Sequence, residues 1–139
     1  MFIGAYNHQL DQKNRTRIPA KQRVEVVGTP YIAKGRNNCL HIYAEDYIEG
    51  LKAKLQNIPQ SDLEAQKAVT SLLSSFIEIE EDNQGRFTFP ADFREYAHME
   101  KDVVFKGAGR YIEVWAKELA EAQEMSYEET MASLAKYGV

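Results

Sequence analysis

Asp11-Gln12-Lys13-Asn14-Arg15-Thr16-Arg17-Ile18-Pro19-Ala20-Lys21-Gln22-Arg23 returns 71 residues later as Asp82-Asn83-Gln84-Gly85-Arg86-Phe87-Thr88-Phe89-Pro90-Ala91-Asp92-Phe93-Arg94, without a gap. The first Asp, the Arg after the turn, the Pro-Ala pair and the final Arg are identical in both copies. After one inserted residue the match resumes at an offset of 72, residues 31–35 against 103–107 and 40–44 against 112–116. Two collinear blocks of this kind identify a tandem duplication. A unit of roughly 35–45 residues is too small to bury both faces of its own sheet, so the two copies are expected to complete one another.

Each copy carries its own folding signals. Residues 11–14 and 82–85 have the Asp, Asn and Gly of a tight turn, with Asn14 standing where the second copy has Gly85, both tolerant of positive φ. A strand follows. Pro19 or Pro90 then opens a short helix over residues 20–26 or 91–98, where the missing N–H is harmless. Apolar strands at 31–33 and 103–105, polar turns near Gly35 and Gly107, and strands at 39–43 and 111–115 complete the units. Between the copies, helical spacing over 46–55 is followed by a second helix that opens on a Ser61-to-Glu64 capping box and runs to Phe76. After Trp115 the chain is Ala/Glu-rich and helical with a break near Met125, and Leu119, Ala122, Met131, Leu134 and Tyr137 are expected to pack in a core or interface. The expected fold is α+β, with tandem β-α-β units forming one pseudo-symmetric mixed β-barrel or sandwich plus connecting and C-terminal helices. The expected boundaries are 1–46, 47–76, 77–119 and 120–139.

The charge is unevenly distributed. Of 139 residues, 17 are Lys or Arg and 21 are Asp or Glu, a net charge of −4 that excludes a uniformly basic chain. Residues 1–38 nevertheless hold seven basic and two acidic residues, net +5, and the remainder is net −9. Association follows the local field, so the basic segment points to an anionic partner or to a solvated surface of uneven charge. With 44% hydrophobic and 27% charged residues, the composition is that of an ordinary globular protein. The single Cys39 excludes an intramolecular disulfide and is read as a small buried residue in a reducing compartment. Neither a secretory leader nor an apolar run of bilayer length is present, so a cytosolic protein without a membrane partner is expected.

Catalytic patterns are absent from the sequence. His8, His41 and His98 show no paired ligand spacing, and neither a GxSxG motif nor a phosphate-binding P-loop occurs. The segment from Lys106 to Arg110 is read as a hairpin turn before a phosphate cradle. A non-enzyme without cofactor, metal or small-molecule substrate is expected; an enzymatic reading would fall on Glu80, Glu81 and Asp82.

The Asp-x-x-x-Arg element carries more information. Along an extended strand Lys13, Arg15 and Arg17 fall at period two on one face, while the second copy has Gln84, Arg86 and Thr88 there. A two-stranded ribbon bearing Arg and Lys fits the DNA major groove, where Arg can pair bidentately with guanine and Lys can meet phosphates. Asp11 and Asp82, with Asn14 and Gly85, would set the turns or orient the arginines. Each Asp–Arg pair can equally be a structural ion pair, and the first copy can be the reader while the second is mainly scaffold.

In this frame the sequence resembles the MraZ family, whose members carry two SpoVT/AbrB-type domains in tandem, which implies β-α-β units of the swapped-hairpin type. The resemblance rests on Phe2-Ile3-Gly4, Asp11-x-x-x-Arg15 with Ile18-Pro19-Ala20, Asp82-x-x-Gly85-Arg86 with Phe89-Pro90, the Gly107 turn and Glu113-Val114-Trp115. It implies a bacterial transcriptional regulator that binds repeated double-stranded DNA sites upstream of the division and cell-wall gene cluster. It also implies nucleoid association and a ring-shaped homo-oligomer. The family's motif residues carry over onto Asp11, Arg15, Asp82 and Arg86, with Asn14 a departure from the usual Gly. A ring-forming scaffold or protein-interaction module is the competing reading.

Overall fold

Strand pairing in the computed structural model, which describes residues 1–139, joins the two copies at nearly every step. The strands are β1 (Ala5–Gln9), β2 (Arg15–Arg17), β3 (Tyr31–Lys34), β4 (Leu40–Tyr43), β5 (Ile77–Glu78), β6 (Arg86–Thr88), β7 (Asp102–Gly107) and β8 (Ile112–Ala116). The helices are α1 (Ala20–Arg23), α2 (Glu45–Leu55), α3 (Leu63–Ser74), α4 (Ala91–Tyr96), α5 (Lys117–Ala122) and α6 (Tyr127–Leu134). Six strands form one sheet in the order β1-β7-β8-β4-β3-β5, and β2 pairs with β6 in a separate ribbon. The fold is α+β, as expected, but every pairing is antiparallel and the sheet is not mixed.

Only the β3–β4 and β7–β8 hairpins are local. β1 pairs with β7, β5 with β3, β2 with β6 and β4 with β8, each a strand of one copy against a strand of the other. Thr16 faces Phe87 and His41 faces Glu113, and both are pairs of positions that the internal alignment equates.

The main core lies inside this interlock. Leu10, Ile18, Ile32, Leu40 and Ile42 from the first copy pack with Phe87, Phe89, Phe93, Val103, Phe105, Ile112 and Val114 from the second. Phe89 is wholly buried and meets Phe87 edge-to-face at 5.0 Å. Burial of a large aromatic side chain contributes on the order of 2–3 kcal/mol, so the mixed origin of this cluster makes each copy depend on the other.

Local signals account for the termini of the helices. Pro19 and Pro90 stand one place before the first helical residue, with extended ψ of 134° and 147°, rather than inside the first turn. The α3 N-terminus is capped by Asp62, whose carboxylate accepts from the Ala65 N–H at 3.0 Å; Asp62, not Ser61, fills the capping position. Ser126 caps α6 by accepting from the Glu129 N–H. The expected C-terminal packing is only partial within one chain: Leu119 packs half-buried against the cluster of Trp115 and Ala120 and Met131 is half-buried, but Ala122, Leu134 and Tyr137 are exposed. The turn after β7 is also committed elsewhere. Gly107 donates its N–H to the Gly4 carbonyl, and a Cβ there would overlap the backbone of Phe2 and Ile3, so this glycine serves close packing of the N-terminal segment. No helix is long and apolar enough to cross a membrane.

Candidate nucleic-acid interface

The β2–β6 ribbon has an apolar inner face and a basic outer one. Alternation buries Thr16 and Phe87, and turns Arg15 and Arg17 of one strand and Arg86 and Thr88 of the other outward. The register sets Arg15 opposite Thr88 and Arg17 opposite Arg86. Two like charges directly across an antiparallel pair repel one another, a cost that the Asp82 carboxylate on Arg86 offsets in part. Arg15 and Arg86 are diagonal neighbours, about 7–8 Å apart for such pairs.

The two Asp-x-x-x-Arg turns have the same hydrogen-bond geometry. Asp11 Oδ1 accepts the N–H groups of Lys13 and Arg15, both at 2.9 Å, while Oδ2 accepts Arg15 Nε at 2.8 Å. Asp82 Oδ1 accepts those of Gln84 and Arg86 at 2.8 and 2.9 Å, and its Oδ2 accepts Arg86 Nε at 2.8 Å. Each aspartate therefore both closes the turn and holds the arginine by Nε. The two Nη groups of Arg15 and of Arg86 make no hydrogen bond within the chain, which leaves the bidentate edge of each guanidinium available. Asn14 and Gly85 adopt φ of 59° and 75°, the conformation that their shared position requires. Both carboxyls are pulled below the ordinary aspartate value. The backbone N–H of Arg15 is the largest cause for Asp11, and that of Arg86 lowers Asp82 to about 2.

Other residues adjust the sequence-based picture. Lys13 lies in the turn rather than in the strand, so the period-two row contains only Arg15 and Arg17. Arg17 Nε donates to the Gln84 carbonyl at 2.6 Å, a contact with the opposite copy's turn that no local pattern announced. Arg23 is engaged inside the fold by Glu81, with Nη2 to Oε1 at 2.8 Å, and Lys34 lies 3.7 Å from Asp92 and over the rings of Phe93 and Tyr96. The basic segment thus separates into internally paired cations and outward ones. Of the carboxylates that an enzymatic reading would use, Glu81 is held by Arg23 and Asp82 by Arg86. Glu78, Glu80, Glu81 and Asp82 line an open cleft of about 660 Å³ together with Arg15 and Arg86, so both motif arginines border it.

A family model described as "MraZ protein, putative antitoxin-like" matches residues 1–70 and 72–136. The chain belongs to the MraZ family. The junction between the matched stretches agrees with the 71-residue offset of the duplication. Similar proteins named "Transcriptional regulator MraZ" include one from Alkaliphilus oremlandii (strain OhILAs), 37% identical over the whole of both chains. Another, from Acetivibrio thermocellus, is 38% identical over the whole of both, and one from Thermoanaerobacter sp. (strain X514) is 35% identical over 99% of this chain and 96% of its own. The MraZ match thus spans both Asp-x-x-x-Arg turns and the strands that present them.

Proposed function

We propose that this chain is a DNA-binding transcriptional regulator, without enzymatic activity, that reads double-stranded DNA through the outer face of the β2–β6 ribbon. One observation carries the reading: Arg15, Arg17 and Arg86 converge on an exposed two-stranded ribbon, with Arg17 facing Arg86 and the Nη edges of Arg15 and Arg86 unpartnered. A ribbon of this width enters the major groove, where each free Arg edge matches guanine O6 and N7. Successive base pairs rise about 3.4 Å, so the diagonal spacing of Arg15 and Arg86 corresponds to roughly two base steps. Lys13 and Arg17 supply phosphate contacts.

Two SpoVT/AbrB-type units, residues 1–46 and 77–119, form the reader in a pseudo-twofold arrangement. The self-paired positions Thr16–Phe87 and His41–Glu113 support an axis through ribbon and sheet. Residues 47–76 link the units and 120–139 follow them. Exposed apolar residues on the helices, among them Leu63, Leu72, Tyr127 and Leu134, support assembly into a homo-oligomeric ring. A ring engages repeated promoter sites through effective concentration and offsets the weakness of one three- or four-cation site. The proposed targets lie upstream of the division and cell-wall gene cluster, and the proposed location is the cytoplasm, on the nucleoid.

Fluorescence anisotropy with DNA from upstream of the protein's own gene cluster tests the reading against a scrambled duplex of equal length. The repeat-bearing duplex should bind at least about a thousandfold more tightly at physiological salt, the lower end of the usual ratio of specific to non-specific binding. The same apolar helix faces favour a ring-forming scaffold as the second reading. Equal affinity for both duplexes would select it and overturn sequence readout.

A further inference from the structure

Away from the ribbon, the β4–β8 pairing brings together three side chains whose chemistry the DNA reading leaves unused. Cys39 immediately precedes β4 and His41 lies within it, so period two sets them on one face, opposite the core-facing Leu40 and Ile42. Glu113 stands directly across from His41 on β8. Cys39 Sγ, a ring nitrogen of His41 and a carboxylate oxygen of Glu113 all lie within 4.8 Å of one another.

Each ligand is aimed by a neighbour. His41 Nδ1 is 2.8 Å from Tyr43 Oη, and with Nδ1–H donated there the lone pair is left on Nε2. The Tyr111 ring stacks on the imidazole at 4.1 Å between centroids and fixes its plane. Trp115 Nε1 donates to Glu113 Oε1 at 3.0 Å, leaving Oε2 without a protein partner. Gly35 supplies the space. A Cβ at that position would lie 2.9 Å from Cys39 Sγ and closer still to His41 Nε2, so both donor atoms border a small cradle that only glycine leaves open.

We propose that Cys39, His41 and Glu113 form a zinc site that pins the first copy to the second across the β4–β8 pairing. Thiolate, imidazole and carboxylate together are the donor set of a borderline-soft divalent ion with tetrahedral preference. At Zn–N, Zn–O and Zn–S lengths of about 2.0–2.3 Å, tetrahedral ligands lie roughly 3.3–3.8 Å apart, so the observed set closes by about 1 Å of side-chain rotation. Coordination converts the Cys39 S–H to a Zn–S bond and releases one proton to solvent. The thiolate and Glu113 balance the dication's charge, the neutral His41 adds none, and a water completes the fourth position. Arg36 is the opposing cation nearby, and Tyr43, Tyr47 and Tyr111 are the other ionisable groups around the cluster. His41 and Glu113 are equivalent positions of the duplication, whereas Cys39 is matched by Tyr111. The site therefore exists once per chain.

Full-length protein without an affinity tag, stripped with chelator, is titrated with Co²⁺ and then Zn²⁺. The expected result is one metal per chain, a thiolate-to-cobalt charge-transfer band with strong tetrahedral d–d absorption, displacement by zinc, and a change in Trp115 fluorescence. C39S should abolish the charge-transfer band. E113Q and G35A should each weaken binding by tenfold or more, and W115F by about tenfold or more through loss of the carboxylate's support. If C39S fails to fold, E113Q and G35A decide the matter, because Glu113 is half-exposed and a Cβ at position 35 fills the cradle directly. Absence of stoichiometric binding at micromolar free metal, a cobalt spectrum without the thiolate band, or unchanged affinity in E113Q and G35A would overturn the proposal.

Discussion

Replacing Arg15 with Ala removes one guanidinium from the ribbon and little else. Its Nε is held by Asp11 at 2.8 Å, its Nη groups make no internal hydrogen bond, and the side chain is about 30% exposed, so folding and assembly should persist. A bidentate Arg–guanine contact is worth about 1–3 kcal/mol of discrimination, or roughly a 5- to 150-fold loss of affinity per engaged chain. On a probe held by two chains the loss is the square of that factor. Arg17→Ala is the comparison. On the proposed reading it removes a phosphate contact, so binding should weaken on all sequences and the slope of log affinity against log salt should shrink by about 0.9 per engaged chain. Arg86→Ala should resemble Arg15→Ala, because the Asp82 turn repeats the Asp11 turn bond for bond and no geometric difference assigns the second copy a lesser part. Anisotropy titrations on repeat-bearing and scrambled duplexes at several salt concentrations measure these quantities, with light scattering to confirm assembly. Repeat-DNA affinity within twofold of wild type for Arg15→Ala would refute the readout, and an equal loss on scrambled DNA would demote Arg15 to a phosphate contact.

Phe89→Ala should destabilise the protein by about 3–5 kcal/mol and lower the denaturant midpoint in one transition, since Phe89 is wholly buried in the core shared by both copies; two separated transitions would contradict the interlock. Asn14→Val should cost about 1–2 kcal/mol and Asn14→Gly almost nothing in thermal unfolding, because residue 14 sits at φ 59°; equal effects would remove the conformational explanation. The folded pKa of Asp82 is depressed, so its contribution to the turn is complete above the unfolded value near 3.8 and disappears as pH falls through about 2. NMR titration of the Gln84 and Arg86 amides should report that low midpoint, and one at or above 3.8 would contradict the bonding described.

The duplication made much of the fold legible, but not the identity of the pairing partners. Asn14 and Gly85 share positive φ as their alignment requires, and the strand–helix–strand order of each unit appears close to the expected positions. Periodicity, however, reveals which face a side chain takes and not which strand lies beside it. β2 pairs with β6 rather than closing a hairpin on its own copy, so the basic ribbon carries one Asp-x-x-x-Arg arginine from each copy instead of three cations in a row. Cys39 and His41 were visible two residues apart, whereas Glu113 reaches them only through the β4–β8 register. The alignment contains a usable clue: where two equivalent strands pair antiparallel, a residue can face its own counterpart, as in Thr16–Phe87 and His41–Glu113.

The ribbon's charge is unequal between the two copies. Arg15 and Arg86 are counterparts, but Arg17 corresponds to Thr88 and Lys13 to Gln84, so the first copy brings three cations and the second brings one. A reader built from equal halves would favour a palindrome. On the proposed reading this one has a polarity, because phosphate attraction concentrated on the Lys13–Arg17 strand would orient the chain on the duplex. Chains arranged head-to-tail in a ring present that polarity in a constant sense, which suits direct repeats. Inverting one repeat in a two-repeat probe should therefore abolish the gain from bivalency, a factor of about 10²–10⁴, and return the affinity to that of a single site. Anisotropy on direct, inverted and single-repeat duplexes measures this; equal affinity for the direct and inverted probes would mean that the extra cations of the first copy do not orient the chain on DNA.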